Sequence, residues 1–466
     1  MRTPRGSGAL PILLLSFCAH AASLAPVDPG PRGGPPAAGG PLPGLVADET
    51  AFFENGQVRF AEIETVSGGP NNGLGPRFNS NQCLSCHSQP AGGGTSPAPN
   101  PLIGIATLDG ATNTVPWFID KNGPIREARF KRNPDGSTDG NVHAIYVISG
   151  RADAPGCQIA QPDFLPAGNP LTGQGGNRNV IFRIPTPFFG GGLIESIRDA
   201  TILGNMTADR SAKIALGIAG HPNSVLSGNV NRSANDGTIT RFGWKAQNKS
   251  LLMFAGEAYN VEMGISNQLF PQERDETSSC QFNATPQDTN NFSPPPAAGA
   301  NPLPPVLSDI EAFADFMRLL APPAPAPATP ATTHGRAVFE SVGCSQCHTP
   351  MLMTGPAILS GSATQPSAAL SNQPVNLYSD LLLHKMGRFL ADGISQGAAG
   401  PDEFRTAPLW GTGERLFFLH DGRAADLVHA IRDHVGPGSE ANRVVGHFLR
   451  LPVQDQQNVI DFLRSL

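Results

Sequence analysis

One five-residue pattern occurs twice in the chain, as Cys83-Leu84-Ser85-Cys86-His87 and as Cys344-Ser345-Gln346-Cys347-His348. Two thiols three positions apart, followed at once by an imidazole, have the spacing at which a c-type haem is attached. The thiols form thioethers to the two vinyl groups of one porphyrin, and the histidine stands under the iron as proximal ligand. A zinc half-site or a redox dithiol would also use C-x-x-C. Zinc, however, wants two such pairs close together, or a further His or Cys pair near each. Here more than half the chain separates them, and histidine follows both. The sequence therefore predicts two covalent haem c groups. Cys83, Cys86, Cys344 and Cys347 are the attachment points, and His87 and His348 the iron ligands.

Two large rigid apolar cofactors supply part of a core, so the rest of the chain can be weakly patterned. Aromatic residues make up 7% of the 466 residues and charged residues 15%, while 53 Gly and 46 Pro exceed a fifth. That composition predicts loop-rich globular structure, long enough for two or three domains. A net charge of −6 with no basic stripe excludes nucleic acid as a partner.

Arg2, Arg5, an apolar run over 9–22 and the small-x-small triplet Ala19-His20-Ala21 predict an export signal over 1–22. The chain is expected in the periplasm or outside the cell. Phe17 is too large before Cys18 for a lipoprotein site, and no later apolar run approaches the ~20 residues that span a bilayer. Of seven cysteines, Cys18 leaves with the signal and four hold haem. Cys157 and Cys280 remain, and an even pair in an oxidising compartment predicts a disulfide between them.

The fold class expected is mainly α, with two cytochrome c-like haem domains. Residues 23–47 form a Pro/Gly-rich tether. The first domain, 48–321, starts with a helix over about 49–66 and is enlarged at about 100–240 by a loop-rich insertion with some β structure. The β-branched run 142–148 belongs there. A Gly triplet at 190–192 marks close backbone approach; the phosphate-binding pattern GxxxxGK[ST] is absent. Ser308 and Glu311 have capping-box spacing and open a helix with Ile310, Phe313, Phe316 and Met317 on one face. A Pro/Ala linker follows at 322–334. The second domain, 335–466, runs from a helix before the second haem motif to a closing helix over 455–466 that crosses it. The stretches 242–251 and 419–427 each precede a helical run, a faint repeat that points to one module used twice.

Both C-x-x-C-H motifs take a place among FRIPTPFFGGGLIESI (182–197), RFGWKAQNKSLL (241–252), NVEMGISNQLF (260–270), YSDLLLHKMG (378–387) and RTAPLWGTGERLFFLHDGRAADLVHAI (405–431). Over roughly 50–466 the chain resembles the di-haem cytochrome c peroxidase superfamily. Within it, the chain is most similar to the di-haem oxidoreductase branch of peroxidases and thiol oxidoreductases.

The resemblance implies roles for single residues. A sixth ligand for the second haem falls fourteen residues beyond His420, at His434, where the peroxidases usually carry Met. Two histidines give a lower potential than His/Met, because Met raises it. His384, Met386 and His447 compete for that role, and His420 itself is expected to hydrogen-bond a propionate or backbone. Many of the peroxidases have a distal His sixteen positions beyond the first proximal one; here that position is Ile103. The His87 iron is therefore expected to be five-coordinate and open to hydrogen peroxide or dioxygen, with His143, His221 and Met263 as rival distal ligands. Glu262 matches the family's acid–base Glu, its pKa raised by burial, and Phe254 stands where the family has Gln. Trp244, with Trp410 as second candidate, matches the Trp between the haems. Calcium between the domains is usual in the superfamily.

The implied activity passes electrons from a small donor protein, such as a cytochrome c or cupredoxin, through the second haem and Trp244 to the first. There the oxidant is reduced, with Glu262 handling protons. Two alternatives are a di-haem oxygenase of the rubber-cleaving type, which shares an apolar distal pocket, and a non-catalytic electron carrier with both irons six-coordinate.

Overall fold

Glu49, Phe52, Phe53, Gly56 and Phe60 recur at the three- and four-residue spacing that puts them on one face of a helix. In the computed structural model they form the buried face of helix α1 (Ala47–Phe60). The structure describes residues 25–69, 71–164, 179–227, 235–290 and 307–466. The expected export signal lies outside the described residues. The first turn of α1 carries Asp48 and Glu49, where negative charge complements the helix dipole, and Glu49 Oε2 accepts from the Val46 backbone N–H at 3.1 Å.

Helix α2 (Leu251–Met263) is capped by Ser250, whose Oγ accepts from Met253 N–H at 3.1 Å. Helix α3 (Asp309–Leu319) starts at the expected box, with the Ser308 N–H donating to Glu311 Oε2 at 3.2 Å. Helices α1 and α3 cross at Gly56, where a Cβ would stand 2.3 Å from the Ala312 carbonyl oxygen. Around that crossing Phe316 meets Phe53 at 5.4 Å and Phe60 at 5.0 Å between ring centroids.

The C-terminal part repeats this arrangement. Helix α4 (Pro330–Val342) has Pro at its start and Thr329 as cap, and runs into the second haem motif. Helix α5 (Leu427–Asp433) follows, then α6 (Asn442–Leu449) and α7 (Val453–Ser465). The closing helix α7 crosses α4 at Gly335, where a Cβ would come within 1.8 Å of the Asn458 carbonyl oxygen. Phe339 and Phe462 meet there at 5.4 Å.

The faint sequence repeat has the same local form in both copies. Phe242 and Asn248 exchange backbone hydrogen bonds just before α2, and the Phe418 N–H donates to Ala424 O just before α5. Asp426 caps α5 as Ser250 caps α2.

Between the first haem motif and α2 lies a three-stranded antiparallel sheet. Strand β1 (Glu127–Phe130) is central, flanked by β2 (Val142–His143) and β3 (Val180–Arg183). Glu127 stands opposite Arg183 in the register. Cys157 and Cys280 are joined, so the insertion is tied to the chain beyond α2. The Gly triplet lets the backbone approach α3, with the Cβ position of Gly192 only 2.1 Å from Arg318 O.

Residues 25–46, expected as a tether, lie docked along the body. The Arg464 guanidinium donates to both Asp28 oxygens, from Nε at 2.7 Å and from Nη2 at 2.8 Å. The Arg32 N–H donates to Gly413 O and the Leu42 N–H to Leu319 O, each at 2.7 Å. The Pro and Gly residues of this stretch set an extended path whose backbone groups find partners on both helix pairs. Among the described residues no helix is long and apolar enough to cross a membrane.

Candidate functional site

Each C-x-x-C-H motif opens onto its own cavity. The first is lined by Cys83, Cys86 and His87 with Phe60, Phe188 and Phe254. The His87 Nδ1 lies 2.9 Å from the Gly94 carbonyl oxygen. A carbonyl only accepts, so Nδ1 carries the proton and Nε2 is the lone-pair nitrogen. Burial pushes the His87 pKa down to about 4, which keeps the ring neutral, as an iron ligand must be. Burial also raises the Cys83 and Cys86 thiols, the latter to about 12. A redox dithiol needs the opposite shift.

Two carboxyl groups face this cavity. Glu262 sits in the last turn of α2, and its Oε2 accepts from Asn79 Nδ2 at 2.6 Å. Asn79 is itself fixed, because its Oδ1 accepts from the Ile145 N–H at 2.8 Å. Glu127 comes from β1, with Oε1 accepting from Arg129 Nε at 2.7 Å. Burial first, and the charge of Glu127 second, hold the Glu262 carboxyl well above the ordinary range. For Glu127 burial acts upward, but Arg129, the contact with Glu262 and Arg183 outweigh it and hold the pKa low.

The second cavity is lined by Cys344, Cys347 and His348 together with His434. The His348 Nδ1 donates to Tyr378 O at 3.0 Å, and the His434 Nδ1 to Ala430 O at 2.7 Å. Both rings therefore keep Nε2 free. Burial lowers both pKa values, that of His348 to about 4. His384 also lines this cavity, but Asp380 at 2.9 Å and Glu440 at 2.8 Å occupy its two ring nitrogens.

Trp244 stands in the wall of both cavities. Its Nε1–H donates to Ile184 O at 2.9 Å, which fixes the indole plane. The Arg415 guanidinium lies 5.8 Å from the indole centroid. His420 fills the space beside it, stacked on Phe404 at 4.3 Å and 6.5 Å from Trp244. Burial brings the His420 pKa to about 4.

Arg405 and Arg415 test whether a haem fits the second cavity. Both line it, and burial pushes both down to about 10, Arg405 further through the charge of Arg415. Each donates through Nε to a backbone carbonyl, and Arg415 Nη2 is buried with no partner. Among the described residues neither guanidinium meets a carboxylate, which leaves two desolvated positive charges uncompensated there. The two propionates of a haem carry the complementary charge, so the residues present fit the group.

The family profile described as "Di-haem oxidoreductase, putative peroxidase" matches residues 176–466, well over half of the chain. The chain belongs to the di-haem oxidoreductase family. The match takes in the second haem motif, Trp244 and Glu262, and begins after the first motif. No curated protein matches the chain. Among solved structures it is similar to hydrazine synthase of Kuenenia stuttgartiensis, at 13% identity over 98% of this chain and 100% of that one, with a TM-score of 0.34. It is also similar to the diheme peroxidase BthA of Burkholderia thailandensis, at 15% identity over 48% and 65% of the two chains, with a TM-score of 0.28. A MauG-like protein associated with microbial copper homeostasis gives 16% identity over 66% and 95%, with a TM-score of 0.25.

In this di-haem oxidoreductase the residues singled out from the sequence fall into the two cavities. Glu262, Phe254 and Trp244 line the first with His87, and His434, Met386 and His420 line the second with His348. Met263 also lines the first, its sulfur 3.9 Å from Cys83 Sγ. Other candidates lie elsewhere. His143 pairs with Asp139 at 2.6 Å and His221 with Glu403 at 3.1 Å, and neither reaches the first cavity. His447 lies 3.3 Å from Val342 O, outside the lining of the second. Trp410 packs over Gly190, outside both walls. Among the described residues no group of three or more His, Cys, Asp or Glu is arranged to hold a metal ion. Glu127, Arg129 and the Arg405–Arg415 pair are additions. The signal for the first two was alternation. In Glu-Ala-Arg-Phe (127–130) the two charged residues fall on one face of a strand.

Proposed function

We propose that this oxidoreductase carries a haem c in each cavity, within cytochrome c-like domains over 48–321 and 335–466. We propose further that it reduces hydrogen peroxide at the His87 cavity. Electrons arrive at the His348 cavity from a small donor protein. The observation that carries this reading is a buried carboxyl group, Glu262, whose pKa burial holds well above the ordinary range, in the wall of the same cavity as His87, whose Nε2 is free.

The overall reaction is H2O2 + 2 e⁻ + 2 H⁺ → 2 H2O. The bound cofactors supply the one-electron chemistry. The chain's own residues do the remainder. Cys83, Cys86, Cys344 and Cys347 anchor the groups; His87 and His348 present Nε2, and His434 presents a second Nε2 to the C-terminal one. Arg405 and Arg415 hold negative charge beside Trp244. Trp244, common to both walls, gives electrons a protein route between the cavities. Glu262 holds a proton, within reach of the cavity, and passes it to the oxygen that leaves as water. Proton delivery of this kind contributes ~10²–10⁴-fold to a rate.

Phe254 favours a second reading. With Phe188 and Phe242 beside it, at 5.8 and 6.5 Å, it makes one side of the first cavity apolar. An apolar substrate cleaved with dioxygen, as in the rubber-cleaving oxygenases, would find that side congenial and would have no use for Glu262.

The test uses the purified, haem-loaded chain and a reduced small cytochrome. We expect peroxide-dependent oxidation of the cytochrome and, on Glu262→Gln, a loss of roughly 10²–10⁴-fold with both haem spectra intact. Electron-spin resonance of the oxidised protein should give one high-spin and one low-spin signal. Two low-spin signals and no peroxide consumption would leave an electron carrier. Consumption that survives Glu262→Gln would remove Glu262 from the chemistry.

A further inference from the structure

Glu262 is not alone. Its side chain and that of Glu127 are hydrogen-bonded to each other in the wall of the first cavity. An ionised carboxylate only accepts hydrogen bonds, so a bond between two carboxyl groups contains one proton. Each group is anchored through one oxygen. Asn79 Nδ2 holds Glu262 Oε2 at 2.6 Å, and Arg129 Nε holds Glu127 Oε1 at 2.7 Å. The second oxygen of each is left for the other carboxyl and for the cavity. Arg129 is the pair's direct counter-ion, while Arg183, opposite Glu127 in the sheet, meets Asp392 at 2.7 Å, a carboxylate that Lys245 Nζ also meets at 3.1 Å.

We infer that Glu127 and Glu262 work as one bifunctional acid–base unit that shares a single proton. Its substrate is the peroxide of the function proposed above, and the inference rests on that reading. A lone neutral acid can give a proton, but it then becomes a buried anion. A lone carboxylate can take one, but it must first find somewhere to pass it. The pair does both together. The ionised member takes the proton of the near peroxide oxygen while the protonated member gives its own to the far oxygen. The O–O bond breaks, the far oxygen leaves as water, and the two electrons that reduce the peroxide come from the donor protein. The pair ends with one proton and one negative charge, as it began. The two protons consumed in the overall reaction enter from solvent when the remaining oxygen is converted to water. Because the pair's charge is constant, the low-dielectric wall is not asked to stabilise a new charge during the transfer.

The experiment is a double-mutant cycle on the haem-loaded full chain with Glu127→Gln, Glu262→Gln and the double variant. Peroxide-dependent cytochrome oxidation is followed together with the infrared band of the protonated carboxyl group. If the two residues are one unit, each single variant loses roughly 10²–10⁴-fold. The double variant then loses no more than the worse single, because either change already removes the unit. Glu127→Asp, which keeps the carboxylate, should recover part of the loss. The carboxyl band should be present in the unmodified protein and lost in Glu262→Gln.

Full turnover in Glu127→Gln, or losses that multiply in the double variant, would overturn the inference and leave Glu262 as a single acid. The infrared arm separates the inference from the reading beneath it. If the unmodified protein consumes no peroxide yet the band is lost in Glu262→Gln and altered in Glu127→Gln, the shared proton stands and the peroxide reading fails. If the band ignores both substitutions, the pair itself is refuted, whatever the turnover.

Discussion

At the scale of single residues, the decisive detail is which ring nitrogen is free. His87, His348 and His434 each spend Nδ1 on a backbone carbonyl, at 2.9, 3.0 and 2.7 Å, and so offer Nε2. His384, in the same cavity as His434, spends both nitrogens on carboxylates. A first prediction belongs here. His434→Met should keep the second haem low-spin and raise its reduction potential, because a thioether ligand favours the reduced iron. A redox titration of the variant checks it, and an unchanged potential would remove His434 from the iron. Spacing alone was enough to single out His87 and His348, since attachment runs at a fixed offset along the chain; His434 was singled out by the family resemblance, among competitors. Spacing could not locate Glu127. A Glu two residues before an Arg in a short strand has no offset to any motif, and only the pairing of β1 with β3 and the fold of α2 bring it to Glu262. Arg405 and Arg415 escaped for a related reason: their meaning lies in the carboxylates they lack among the described residues.

At the scale of elements, both helix pairs depend on a glycine at the crossing. Gly335→Ala would set a methyl group against the Asn458 carbonyl of α7, a contact of 1.8 Å before any relaxation. We expect a loss of ~1–3 kcal/mol, the usual cost of overpacking, read as a lower unfolding midpoint. Gly104→Ala, with no heavy atom within 4 Å of a built Cβ, is the control and should change little.

The junction of α1, α2 and α3 makes a second prediction. Glu64, Asp288 and Asp309 are buried together there, with the Tyr259 hydroxyl donating to Asp309 Oδ2 at 3.0 Å. Burial raises Glu64 to about 8, Asp288 to about 7 and Asp309 well above its usual range. The folded state then binds more protons than the unfolded state from about pH 4 up to about pH 7–8. Stability from this cluster is fully present below the unfolded values near 4 and is lost as pH rises through the folded ones. The slope is about 1.4 kcal/mol per pH unit for each full proton of difference. The unfolding midpoint should fall between pH 5 and 8, and Glu64→Gln should flatten the slope; a profile indifferent to that substitution would refute the assignment.

These helices were legible because caps and a 3.6-residue period are local signals. The order of the three strands was not, because a central strand of four residues carries too little pattern to name its neighbours.

For the whole molecule, the question is how two cavities act as one protein. Trp244 is their common wall, held by Ile184 and covered by Arg415. Trp244→Phe keeps an aromatic ring in place but removes the Nε1–H and the wider π-surface. We expect slower electron transfer from the second haem to the first, followed by stopped-flow absorbance after rapid reduction, with both haem spectra unchanged. Equal rates in the two proteins would place the route elsewhere. The twofold plan of the molecule was visible in the repeated motif, and the Cys157–Cys280 bond followed from counting thiols. The path of residues 25–46 was not visible, since proline and glycine announce only that a segment is irregular and say nothing of where it lies.

That path constrains how the molecule is made. Asp28 grips Arg464 across 436 positions of sequence. The first described stretch to emerge in synthesis thus waits for a partner 436 positions downstream, and the buckle cannot fasten until Arg464 has been made.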